Sequence, residues 1–153
     1  MNQMTLSDLE YANRRKRSRR EKFLDTMERI LPWNEWTERI RPRYYSGRRG
    51  RKPIALETIL RMYFIQRWYH LSASGVEDTV YDSYAFRSFL KVDFLSIQVP
   101  DSTTLLRFRK FLRKEGLEEQ ILAEEKECIR REKLVFRAGM MADASLSASS
   151  GHA

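Results

Sequence analysis

The chain has 153 residues, 33% of them charged, and a formal net charge of +8, enough length for one ordinary domain with a real core. Its single cysteine, Cys128, excludes a disulfide framework and a cysteine-based zinc site, and no apolar run is long enough to span a membrane. Residues 14–52 hold 15 Lys and Arg against 5 Asp and Glu, while the rest of the chain holds 14 against 16, so one segment carries the whole excess and points to a polyanion partner.

Ser7 and Glu10 have the spacing of a capping box, which predicts a helix running from there through the basic block to about Leu31, before Pro32. Phe23, Met27, Ile30 and Leu31 share one side of its second half, opposite Lys22, Asp25, Glu28 and Arg29, so that half should pack. The basic half, with Arg14, Arg15, Lys16, Arg17, Arg19 and Arg20, has no apolar stripe to face lipid. It reads as a phosphate clamp without sequence preference, or as a solvated arm. Pro32 opens a short helix carrying Trp33, Trp36 and Ile40 that ends near Pro42.

Residues 41–53 contain two glycines, two prolines and no acid, which predicts a basic, extended loop. Within it Gly47-Arg48-Arg49-Gly50-Arg51-Lys52-Pro53 resembles the AT-hook, whose Arg-Gly-Arg core enters the minor groove of A·T tracts. Lys52 separates that core from its proline, and the same residues also read as a solvated linker. Leu56, Ile59, Leu60, Tyr63, Phe64, Trp68 and Leu71 then recur at helical spacing and predict a core helix.

Ser74 with Glu77 offers another capping box, opening one broken or two short helices that carry Val76, Val80, Phe86, Phe89 and Leu90. A connector over residues 91–100 leads to Asp101 in an N-cap position. Leu105, Phe108, Phe111 and Leu112 give the next helix its buried face, and Gly116 ends it. Leu117, Ile121, Leu122, Cys128, Ile129 and Phe136 pattern a last long helix, with Glu on its outer side and a Glu127–Arg131 pair. After Gly139, residues 140–146 read as one strand and the remainder as a frayed tail.

The helix from Ser102 to Glu115 is the candidate reader of duplex DNA. Thr103, Arg107, Lys110 and Lys114 fall at i, i+4, i+7 and i+11 and form one stripe, flanked by Arg109 and Arg113. A major groove admits such a helix, with Arg on guanine edges and Ser102, Thr103, Thr104 and the helix N-terminus on phosphates. The competing reading is an ordinary charged surface face, but Glu115 is the only acid after the cap. His70 and His152 lack companions for a metal site, and no phosphate-cradling glycine loop or nucleophile–base arrangement occurs. The sum is an all-α fold with a helix-turn-helix-like pair: a basic arm over residues 1–22, a helical DNA-binding domain over 23–137, and a separate terminal piece over 138–153.

Several segments together resemble transposases of the fifth insertion-sequence family, at the helical domain that precedes an RNase H-like catalytic domain. They are Phe23-Leu24 through Met27-Glu28, Leu31-Pro32-Trp33, the loop Gly47 to Pro53, Leu56-Glu57-Thr58 with Leu60-Arg61, and Gln66-Arg67-Trp68-Tyr69 with Leu71-Ser72. Glu77-Asp78 with Tyr81-Asp82 and Pro100-Asp101-Ser102-Thr103-Thr104 with Phe108-Arg109 complete the set, which covers residues 20–148. The resemblance implies binding of double-stranded DNA at the element's terminal inverted repeats, with a homodimer or a complementing transposase chain as partner, in the cytoplasm at the nucleoid, and with no membrane.

In that family the strand after the last helix carries the first aspartate of an Asp-Asp-Glu triad, and Ala142-Asp143-Ala144-Ser145 occupies its place. The triad holds Mg²⁺ for DNA strand cleavage and transfer. No Asp or Glu follows Asp143. The resemblance therefore implies that Asp143 is a catalytic metal ligand only in a complete enzyme, and that this chain is a truncated form, inactive alone. Two other readings stay open: a non-enzymatic repressor that occupies the repeats, and a basic RNA-associated protein, whose aromatics would have to be exposed.

Overall fold

The computed structural model describes residue 6 and residues 17–45, 56–92 and 99–150, the last eleven of them by backbone only. These form seven α-helices: α1 Arg19–Ile30, α2 Trp33–Tyr44, α3 Leu56–Tyr69, α4 Ala73–Asp82, α5 Tyr84–Leu90, α6 Ser102–Lys114 and α7 Leu117–Ser150. The fold is all-α, with no strand among the described residues. No helix there is long and apolar enough to cross a membrane.

The helix expected to run unbroken from Ser7 is interrupted before Arg19, and Ser7 itself lies outside the described residues. Arg17 and Ser18 stand outside α1, and Ser18 caps it by accepting the Glu21 N–H at 3.2 Å while donating its hydroxyl to the Glu21 carboxylate at 3.3 Å. The Ser-x-x-Glu spacing of a capping box is present here, with the Glu21 carboxylate meeting the Ser18 hydroxyl instead of the Ser18 backbone N–H. Likewise Ser72, and not Ser74, caps α4, accepting the Gly75 N–H at 3.0 Å. Ser83 ends α4 and caps α5, which resolves the apolar segment into two short helices.

α3 is apolar on every side, and Leu56, Ile59, Leu60, Met62, Tyr63, Phe64 and Ile65 are all buried. A helix with no polar face belongs in the centre, and α2, α4, α5 and α6 pack around it. Aromatic rings fill the space. Trp36 stacks on Phe64 at 5.3 Å, Trp33 meets Phe64 edge-on at 5.4 Å, and Tyr44 meets Phe108 at 5.6 Å. Trp33, Trp36, Tyr44, Tyr63, Phe64 and Phe108 are therefore core.

Glu21 and Arg61 are the buried charged residues among those described. Arg61 is 1% exposed, donating to the Phe89 carbonyl at 2.9 Å and pairing with Glu57 at 2.9 Å and with Glu28. Its guanidinium also sits 4.6 Å from the Trp33 ring and 5.0 Å from that of Phe89. Glu28 takes Lys91 as well, at 3.2 Å. Burial alone would raise its carboxyl, but Arg61 and Lys91 together hold it below the usual range.

α7 departs from expectation twice. Its glutamates do not all face outward: Glu118 accepts from Tyr63, Glu124 from Arg39 and Glu125 from the Trp68 indole at 3.0 Å. Among its described side chains only Leu117 and Ile121 are fully buried, Cys128 and Ile129 pack at the edge, and Phe136 is 66% exposed instead of core. The predicted Glu127–Arg131 pair is present at 3.2 Å. The second departure is the strand expected at residues 140–146, which is helix, as is the backbone through Ser150. A lone strand has no neighbour for its N–H and C=O groups, whereas a helix satisfies them internally, and the alanines and methionines after Gly139 favour it.

Candidate nucleic-acid interface

α6 is fixed at both ends and along its inner face. At its start Asp101 accepts the Thr104 N–H at 2.8 Å and the Thr104 hydroxyl at 2.7 Å, bonds that hold the Asp101 carboxyl below the usual carboxylate range. From α4, Glu77 accepts the Ser102 N–H at 2.9 Å. Two carboxylates thus occupy first-turn N–H groups that would otherwise attract an anion. Leu105, Phe108 and Leu112 are buried, and Gly116, at φ +69°, turns the chain into α7.

With that face buried, the opposite one is determined. Thr103, Arg107, Lys110 and Lys114 are all exposed, and none of the three bases has an ion pair with a described residue. Leu106, 47% exposed, lies beside them. Glu115 is drawn off toward α2, where Arg43 donates to its carbonyl at 3.1 Å and approaches its carboxylate to 3.9 Å. On the flank, Arg113 pairs with Glu118 at 3.2 Å, and Arg109 is half-buried. α6 packs against α4 across α5 and the connector, and the successive helices α4 with α5 and α6 with α7 pack together as well.

The described residues of the basic arm differ in their contacts. Arg17 pairs with Glu21 and Asp25, and Arg20 lies over the Phe86 ring at 4.4 Å and near Tyr69 at 5.2 Å. Arg19 is exposed. Arg14, Arg15 and Lys16, and the loop residues Arg48, Arg49, Arg51 and Lys52, lie outside the described residues. Arg67, in the last turn of α3, is exposed.

Asp143 stands on the helical backbone of α7. The Mg²⁺ implied by the resemblance requires several carboxylates to converge. Among the described residues no three His, Cys, Asp or Glu side chains come together in that way, and no cleavage step is assigned to this chain.

No solved structure matches the chain. The family model described as Transposase domain (DUF772) matches residues 12–111, from the basic arm through most of α6, and the chain belongs to that family.

Proposed function

We propose that this transposase-domain chain binds double-stranded DNA by laying α6 in a major groove, at the terminal inverted repeats of an insertion sequence of the fifth family. One observation carries the reading. Arg29, Arg39, Arg41, Arg43, Arg61, Arg130 and Arg131 all meet carboxylates, whereas Arg107, Lys110 and Lys114 line one exposed face with no such partner among the described residues. An unneutralised row of cations on a rigid helix is the arrangement that phosphates complete.

In this reading Arg107 and Lys110 reach base edges from the middle of the helix, and Thr103 and Lys114 hold the backbone toward its ends. The arm residues Arg14, Arg15, Lys16 and Arg19 add contacts without sequence preference, and Arg48, Arg49, Arg51 and Lys52 follow the minor groove. The chain serves as the recognition part of a transposase, working with a second transposase chain at the nucleoid. Asp143 would contribute to metal binding only where further carboxylates are supplied.

Fluorescence anisotropy with a repeat-bearing duplex and a random duplex, at matched salt, tests the proposal. Tighter binding of the repeat, lost on replacing Arg107 and Lys110 by alanine, is the expected result. Equal binding of both duplexes, unchanged in that variant, overturns it.

A further inference from the structure

We infer that Leu106 of α6 reads a thymine in the bound duplex, by packing against the C5-methyl group that this base presents in the major groove. The inference rests on α6 being the DNA-binding helix, and it adds an apolar, specificity-determining contact to the polar stripe.

The other apolar side chains of α6 face inward. Leu105, Phe108 and Leu112 are 0% exposed and Phe111 packs against the same core, whereas Leu106 is 47% exposed. Helical spacing sets its neighbours: Thr103 lies one turn before it and Lys110 one turn after, with Arg107 next in the chain. All three are exposed, and neither base has an ion pair with a described residue. The helix is capped by Asp101 and tied to Glu77 one turn earlier, so Leu106 is presented from a fixed backbone.

The charges around Leu106 select what can cover it. An apolar protein surface would strip water from Arg107 and Lys110 and return nothing to those cations. A DNA duplex meets both needs at once, because its phosphates neutralise the cations while the groove floor offers an apolar group. Among the four bases thymine supplies that group in the major groove, through its C5-methyl; the other three present hydrogen-bond donors and acceptors there. The contact is specific to DNA, since the major groove of an RNA helix is too deep and narrow for side chains to read and uracil lacks the methyl.

The test removes one methyl at a time. Each thymine of a repeat-bearing duplex is replaced in turn by deoxyuridine, and binding by the full chain is followed by fluorescence anisotropy at fixed salt. For the parent, replacement at the contacted position should weaken binding about fourfold, the factor that goes with one methyl-sized apolar group returned to water. In Leu106→Ala the same replacement should have no effect, and in Leu106→Met most of the effect should remain. Both variants should keep the parent's Tm and its slope of log K against log salt, because neither a core contact nor a phosphate contact is lost. A parent insensitive at every thymine overturns the inference, as does equal sensitivity in the parent and Leu106→Ala. Weakening of repeat and random duplex by one factor in Leu106→Ala marks a contact blind to sequence and overturns it too. If the parent binds repeat and random duplex alike, the function proposed above fails and the Leu106 contact fails with it. If the parent prefers the repeat and loses that preference in Arg107→Ala, yet deoxyuridine acts equally with and without Leu106, this contact alone fails.

Discussion

The Glu77 carboxylate accepts the Ser102 N–H at 2.9 Å across 25 positions of sequence, tying α4 to the first turn of α6. Asp101 caps the same turn from within the chain, so α6 is held by one local and one distant carboxylate. Removing the distant one, in Glu77→Ala, should cost about 0.5–2 kcal/mol, the range of a lost helix cap. Glu77→Gln keeps an oxygen acceptor and should recover most of that loss. Urea denaturation of the two variants measures both, and equal stability in Glu77→Ala and the parent would show that Asp101 suffices.

Arg61 provides a larger effect. It is buried against Trp33 and Phe89 and divides its donors among Glu57, Glu28 and the Phe89 carbonyl. Arg61→Ala removes the packed stem and leaves the Phe89 carbonyl and the Glu57 carboxylate without their donor, with Glu28 keeping only Lys91, which should cost about 3–5 kcal/mol. The denaturation midpoint checks it. A loss below about 1 kcal/mol, the scale of an exposed pair, would mean that Arg61 acts as a surface ion pair.

Much of this fold is legible in the sequence, and what is not has a physical cause. α3 and α6 follow from apolar spacing, and Asp101 and Gly116 mark the ends of α6 by local chemistry that depends on near neighbours only. Ser74 misleads because Ser72, two positions earlier, has equal capping ability and is the residue that caps α4. The inward glutamates of α7 are illegible because their partners are distant in sequence. Glu118, Glu124 and Glu125 read as a solvated face until Tyr63, Arg39 and Trp68, more than 50 positions earlier, are brought against them. Of the candidate interface, the stripe on α6 is visible as a spacing. Its freedom from ion pairs is not, because it depends on where Glu115 and Glu118 are drawn.

Two glutamates should respond to pH with opposite sign. Burial raises the Glu125 carboxyl above its ordinary 4.5, despite the bond from Trp68. Its contribution to stability is therefore greatest below that value and is lost as pH rises through the folded pKa. Glu28 is lowered from the same ordinary value, so its contribution is present above 4.5 and is lost as pH falls through the folded pKa. At neutral pH, Glu125→Gln should be more stable than the parent and Glu28→Gln less stable, and both differences should shrink on acidification. Thermal melts between neutral and acid pH check this. Differences of the same sign in the two variants would show that burial does not dominate at Glu125.

The basic arm divides into residues with different duties, and substitution should separate them. Arg20 is held over Phe86 and Tyr69, which places it among the packing contacts of α1, α3 and α5. A cation over a ring contributes about 0.5–1 kcal/mol at an exposed site, and Arg20→Ala should lower stability by that order. Arg19 has no such contact among the described residues, and Arg14, Arg15 and Lys16 lie outside them; replacing these four by glutamine is expected to leave the melting temperature unchanged. If they hold phosphates, the change should weaken repeat and random duplex by the same factor and flatten the salt slope, because backbone contacts carry no sequence information. Arg107→Ala with Lys110→Ala should act in the complementary way, narrowing the difference between repeat and random duplex, with each lost base contact worth about 1–3 kcal/mol of discrimination. Titrations of both duplexes at three salt concentrations resolve the two effects. Should the α6 pair change both duplexes by one factor, sequence is read elsewhere, and the glycine-flanked arginines Arg48, Arg49 and Arg51 become the residues to replace next.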